Sequence, residues 1–504
     1  MTSTSFLSSS RCPIELLSEI FLHCAEYPIL SVVDGRLAPL LLLRVCRRWN
    51  EVALATPRLW SDFHVAMHSP GWMKMVEQWV DRLETATTEE RQNMLANQPE
   101  DDQDAQFLNF QFGAFQRWIE RSKSAPLACK VLPGDLTSPL RQDIYRQYLC
   151  VLIRNSWHWG NITLLALPSR LPECLSSDSP VSKLRKISLL PEGSIVATQE
   201  GPDPSLLKAL QSARQLQDFS TKSYKSWTWT LPWTQLTRLS FSTVSVTTVD
   251  AELIFDVVSE CTALQSFSIQ VISPPPLPSV VRDIGQRALI HPTLQQLFIF
   301  ANTGLVHSML NRLTFNSLRS LEIAEANFLD EPPVPFPSIL LSPFGTSSST
   351  LERLHLQLCR IALDDVVEVI KPFHALSCLY TPHLDVPDNQ NAPKFVESMT
   401  LRFDSSGRMI SGQNPLLETL DASLSSAFFD LEDQFVDMIE SRWRLPPSPV
   451  TTDGRPVPRL RQLRIASYFA VELKNKRPEA YKRLRSFKDE GMRISRFGGT
   501  NANW

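Results

Sequence analysis

The sequence predicts an α/β chain in which an N-terminal three-helix unit precedes an irregular solenoid of alternating strands and helices. Three observations predict it. An apolar-x-x-apolar-x-apolar phrase recurs as Leu184/Ile187/Leu189, Leu216/Phe219, Leu236/Leu239/Phe241, Leu264/Phe267/Ile269, Leu294/Leu297/Ile299, Leu318/Leu321/Ile323, Leu351/Leu354/Leu356, Leu376/Leu379, Leu417/Leu420 and Leu460/Leu463/Ile465. Helical stretches lie between the phrases, among them Ala251 to Cys261, preceded by Asp250 as N-cap, and Leu431 to Trp443. Near the N-terminus, short runs carry apolar residues at helical spacing.

The first run is Cys12-Pro13-Ile14-Glu15-Leu16-Leu17-Ser18-Glu19-Ile20-Phe21. Pro13 suits a first helical position, where its missing N–H has no partner to lose, and Glu15 suits the positive end of the helix dipole. Ile14, Leu17, Phe21 and Cys24 form one apolar stripe, and Leu16 and Ile20 an adjacent one. A helix so apolar needs cover on two sides. Leu40 to Arg44 follows, and then Val45, Trp49, Val52 and Ala53 form a further stripe, with Arg47, Arg48, Asn50 and Glu51 opposite. Three short helices cannot bury this surface among themselves, because small units have a poor surface-to-volume ratio.

These residues, with Cys46-Arg47-Arg48-Trp49 and Pro57-Arg58-Leu59-Trp60 in the expected order, resemble an F-box over residues 11–60. The resemblance implies that the cover is the small linker subunit that bridges to the cullin scaffold of a ubiquitin ligase. It places Pro13, Ile14, Leu16, Leu17, Ile20, Val45, Cys46 and Trp49 in the linker-binding set and adds Trp60 as the closing tryptophan. The family usually has Leu before the proline. Cys12 stands there instead, a side chain that buries one or two fewer methylenes at roughly 0.8 kcal/mol each.

Residues 1–10 are expected to be disordered, and residues 61–126 to form connecting helices around an acidic, disordered insertion at about 84–106. Gly71 to Val80 reads as amphipathic through Trp72, Val76 and Trp79. The phrase Phe115-Gln116-Arg117-Trp118-Ile119 through Ser124-Ala125-Pro126-Leu127 resembles the helix and first strand that follow the F-box in large fungal F-box families. Gly491 to Ser495 resembles their last strand.

Residues 127–470 are read as the solenoid and 471–504 as its basic C-terminal cap and tail. Phrases recurring at irregular intervals of roughly 20 to 45 residues are what a leucine-rich-repeat-like solenoid produces. A doubly wound α/β sheet also alternates strands with helices, but no phosphate-binding Gly-rich turn is present. Pro274 to Pro276, Pro332 to Pro337 and Pro446-Pro447 mark joints, because proline removes a backbone donor. The Trp157/Trp159 and Trp227/Trp229/Trp233 groups alternate like strand residues covering a core or edge.

Strand periodicity turns the positions between the buried leucines outward, where a solenoid binds its ligands. These include Arg238, Ser240, Ser242, Ser266, Ser268, Gln270, Gln296, Phe298, Phe300, Ser320, Glu322, Arg353, His355, Gln357, Cys378 and Tyr380. Candidate cargo contacts are Arg238, Gln270, Phe298, Phe300, Glu322, Arg353, His355 and Tyr380. The alternative for Phe298 and Phe300 is cover by a loop or by the C-terminal tail.

The chain of 504 residues has a net charge of −3, which supplies no global pull toward nucleic acid or an anionic membrane. Nine cysteines without a C-x-x-C pair argue for reduced thiols and against a disulfide frame or zinc site. The N-terminus lacks a secretory profile, and no apolar run reaches membrane-spanning length, so a cytoplasmic or nuclear location is expected. No catalytic motif, metal site or cofactor site is legible. Asp364-Asp365 reads as a helix start, and His355 with Cys359 need not face each other. The expected function is that of a non-catalytic substrate receptor of a cullin-RING ubiquitin ligase, with a protein cargo on the repeat face. The alternatives are an interaction scaffold outside any ligase and an α/β hydrolase or transferase without a recognised motif.

Overall fold

The computed structural model describes residues 12–25, 35–67, 102–132, 139–165, 181–190, 204–222, 228–243, 248–271, 289–301, 303–325, 350–357, 363–381, 392–422 and 431–497. The chain is α/β and forms two compact units, Met1–Leu236 and Thr237–Trp504. Gly71 to Val80, nearly all of the acidic stretch, Cys359 and the proline joints at 274–276 and 332–337 lie outside the described residues. No helix among the described residues is long and apolar enough to cross a membrane.

The first unit opens with helices α1 (Ile14–Cys24), α2 (Leu42–Val45) and α3 (Arg47–Ala55) and a 3-10 turn at Pro57–Trp60. Strand β1 (Asp62–Ala66), helix α4 (Asp102–Ser122), strand β2 (Leu127–Leu132) and helix α5 (Pro139–Arg154) follow. Strands β3 (Trp159–Leu165) and β4 (Lys186–Leu190), helix α6 (Pro204–Gln211) and strand β5 (Asp218–Thr221) complete it. The five strands pair in parallel, each with the next in the chain.

Two expectations for residues 61–126 are corrected. Asp62-Phe63-His64-Val65-Ala66 is a strand, its burial alternating with the pleat, where connecting helices were expected. Asp102 to Gln106 belongs to α4, because the periodic apolar face of that helix outweighs the local acidic composition. Trp60 ties the N-terminal helices to this framework. Its indole N–H donates to the Ala53 carbonyl at 2.9 Å, its ring packs edge-on against Trp118 at 5.1 Å, and the Arg121 guanidinium sits 4.5 Å from its centre.

The second unit runs through β6 (Arg238–Thr243), α7 (Thr248–Glu260), β7 (Ser266–Val271), β8 (Leu289–His291), β9 (Gln296–Ala301), α8 (Thr303–Arg312), β10 (Leu313–Phe315) and β11 (Ser320–Glu325). It continues with β12 (Arg353–Gln357), α9 (Leu363–Ile370), β13 (Cys378–Tyr380), α10 (Ala392–Met399), β14 (Arg402–Phe403), β15 (Met409–Ser411), β16 (Thr419–Ala422) and α11 (Glu432–Trp443). Strand β17 (Gln462–Ala466), helices α12 (Ser467–Lys476) and α13 (Pro478–Asp489) and strand β18 (Arg493–Phe497) close it. Strands β6, β7, β9, β11, β12, β13, β16, β17 and β18 stack in parallel in that order. A doubly wound sheet reverses strand order at a switch point, and neither unit does.

The repeated phrase places its leucines in the core: Leu264, Phe267 and Ile269, like Leu351, Leu354 and Leu356, are fully buried. The repeat extends further than its leucines. Three residues before six of the opening leucines stands another buried side chain, Val181, Ala213, Trp233, Cys261, Phe373 or Asn414. Its carbonyl accepts the N–H of Leu184, Leu216, Leu236, Leu264, Leu376 or Leu417 at 3.0–3.2 Å. This tight i to i+3 turn brings the chain back to the sheet before those six strands.

Other expectations shift in detail. Asp250 is buried within the first turn of α7 and is not the N-cap residue, since the helix begins at Thr248. Trp157 lies in a 3-10 turn, 42% exposed, whereas Trp159 opens β3 fully buried. Trp229 and Trp233 pack edge-on against Phe219, each 6.0 Å away. Residues 467–489 form two helices, and Gly491 to Ser495 leads into β18.

Candidate functional site

The first surface lies on the N-terminal helices. Pro13 is the residue before the first turn, and its carbonyl accepts the Leu17 N–H at 3.0 Å. Leu17 and Phe21, four residues apart, form the buried stripe of α1, and the Phe21 ring packs against Trp49 at 5.0 Å with the planes tilted by 56°. Leu16 and Ile20, also four apart, lie about 100° around the helix and face outward. They are 56% and 47% exposed, and Ile14 is 55% exposed.

Cys46 is extended and breaks the chain between α2 and α3. Its sulfur accepts the Trp49 N–H at 3.5 Å, a sulfur version of an N-cap. Val45 is therefore separated from the stripe on α3 and projects into solvent at 51% exposure, beside exposed Cys46. Pro13 is exposed and Trp49 half-buried. Leu17 and Trp60 are core residues, so of the expected linker-binding set they support the surface from behind and do not line it. Leu37 and Leu41, which sequence reasoning passed over, are 49% and 44% exposed.

The second surface is the leucine-free face of the second unit. Register aligns one residue per strand into rows. One row reads Ser240, Ser268, Phe298, Glu322, His355, Tyr380, Asp421, Arg464, Ser495. Phe298, Glu322, His355 and Tyr380 are thus consecutive neighbours. His355 Nδ1 lies 3.0 Å from Glu322 Oε1, and its ring is 5.2 Å from that of Tyr380. Phe298 and Phe300 are half-buried. Phe300 and Gln270 are partners in the next row.

Arg353 starts the strand that carries His355. Arg238 shares its row through Ser266, Gln296 and Ser320, four strand spacings or roughly 19 Å away, so these two arginines do not form one cluster. Burial, with Cys378 and Asp421 nearby, raises the pKa of the Tyr380 hydroxyl against the opposing pull of Arg353 and Arg464.

Sequence reasoning stopped the row at Tyr380. The structure continues it into Asp421, buried and 3.5 Å from Arg464. The same outward-position rule applied to Leu417/Leu420 and Leu460/Leu463 picks out both residues. Searched against protein-family models and against curated proteins, the chain matches none.

Proposed function

We propose that this chain is the substrate-receptor subunit of an F-box type cullin-RING ubiquitin ligase, without catalytic residues of its own. Its parallel stack is read as a leucine-rich-repeat-like solenoid that holds protein cargo on the outward strand face. The observation that carries this reading is the exposure of Ile14, Leu16, Ile20 and Val45, which occupy linker-contact positions of the F-box resemblance while Leu17, Phe21 and Trp60 hold the helices together from behind.

Leaving these groups in water forgoes stabilisation. Full burial of such a side chain is worth about 1.5–3 kcal/mol. Covering the remaining half of four of them contributes on the order of 3–6 kcal/mol before the cost of association. A partner with an apolar groove recovers that energy. Holding cargo near a ubiquitin-loaded enzyme then acts through effective concentration.

The test is co-expression with the linker subunit. The wild-type chain is expected to co-purify with it, and Ile20→Asp with Val45→Asp is expected to abolish co-purification, since each would bury an unpaired carboxylate. Both positions are exposed in the free chain, so its melting temperature should stay unchanged. Failure of the folded wild type to bind the linker would leave the scaffold alternative.

A further inference from the structure

We propose that the outward face of β12 to β18 docks an extended acidic segment of a partner protein, with carboxylates held by Arg353 and Arg493 and apolar side chains lying on Tyr380. This rests on the receptor reading of the same strand face and adds the chemistry of its cargo.

Carboxylates on this face and at the starts of its strands already have basic neighbours. Glu322 has His355 at 3.0 Å, Asp421 has Arg464 at 3.5 Å, Glu352 has Arg319 at 3.2 Å, and Glu418 has Arg461 at 3.2 Å. Each of these four carboxylates has a basic side chain one strand away, His355 being a countercharge only when protonated. Arg353 and Arg493 are exposed, and neither has an ion pair among the described residues. The surface therefore complements anions and not cations.

Both arginines stand in one register row: Arg353, Cys378, Thr419, Gln462, Arg493. The three residues between them are uncharged and half-buried. Four strand spacings separate the ends, roughly 19 Å, which an extended peptide spans in about five or six residues. Above this row lie Tyr380 and the paired Asp421 and Arg464, so an apolar side chain at the centre of the segment meets an aromatic ring. Guanidinium groups suit such ends because they bind a carboxylate in a two-pronged geometry. A nucleic acid fits poorly. It needs a run of uncompensated cations along its backbone, whereas Glu322 and Asp421 lie in the outward row and Glu352 and Glu418 directly precede β12 and β16.

The test is fluorescence anisotropy of the full chain with a labelled peptide carrying two glutamate pairs about five residues apart with leucines between them, beside its glutamine counterpart. The glutamate peptide is expected to bind and the glutamine peptide not. Arg353→Ala and Arg493→Ala should each weaken binding about tenfold with unchanged melting curves, Arg353→Lys should weaken it less, and higher salt should weaken it too. Equal binding of the two peptides, no binding of either, unchanged affinity in the arginine variants, or tighter binding of a labelled single-stranded oligonucleotide would each overturn the proposal. Linker co-purification is read separately. Its loss with peptide binding intact sinks the receptor reading alone, and the reverse outcome sinks only the acidic-segment assignment.

Discussion

The buried polar side chains show how individual residues are held. Arg442 is almost wholly enclosed, and its guanidinium donates to the carbonyls of Met399 at 2.8 Å, Asn414 at 3.0 Å and Gln413 at 2.7 Å. Burial pushes its pKa down to about 9, so it remains charged at neutral pH, and the three carbonyls supply the solvation that water no longer does. His158 is the opposite case. It is buried with Nδ1 unpartnered and Nε2 3.4 Å from the Ser122 hydroxyl, and burial beside Lys183 pushes its pKa down to about 4. The unfolded chain, with an ordinary histidine near 6.5, then binds the extra proton between those two values, so stability is lost as pH falls through that window. Wild type is expected to lose about 2 kcal/mol more than His158→Phe between pH 7 and 4.5, measured by urea unfolding at each pH. Equal losses would show that this histidine is not the acid-sensitive group.

At the scale of elements, the turns and breaks decide which surfaces are free. Cys46 separates α2 from α3 and turns Val45 outward, a feature that a continuous helical stripe does not reveal. The β14–β15 hairpin leaves through Gly412, whose φ of +112° suits glycine, and an added Cβ would stand 2.7 Å from the Thr400 carbonyl oxygen. Gly454 has a similar backbone, φ +81°, but open space where a Cβ would go. Gly454→Ala should therefore cost about 1 kcal/mol and Gly412→Ala about 2–4 kcal/mol, read by chemical denaturation. Equal costs would mean that the close approach at Gly412 relaxes without penalty. Among the elements, Leu431 to Trp443 was legible from its periodicity almost to the residue. Strand β1 was not, because five residues bounded by a turn and a helix-rich composition carry too short an alternation to stand out.

At the scale of the molecule, each inner strand of the parallel stack pairs with one strand on either side, and under the solenoid reading proposed above its stability comes chiefly from those two neighbours. Leu354 is fully buried on β12, between β11 and β13. Leu354→Ala should cost about 2–5 kcal/mol and lower amide-exchange protection first in β11, β12 and β13, with β17 and β18 retaining theirs longer. Simultaneous loss across all nine strands of the parallel stack in this unit would argue for a single cooperative core instead.

The sequence by itself determined the α/β class, the buried positions of the repeated phrase and the outward positions between them. These depend on local periodicity, which a strand of alternating side chains expresses without reference to its neighbours. It also singled out Ile14, Leu16, Ile20 and Val45, although the reason for their exposure was not legible. Tertiary structure alone decided that Leu17 and Trp60 are core, that β1 joins the first unit's strands, and that Phe298, Glu322, His355, Tyr380, Asp421 and Arg464 fall into one row. Register between strands separated by dozens of residues is set by packing of the whole stack, so charge pairing across that face, and which arginines it leaves over, is written in the fold and not in any single phrase.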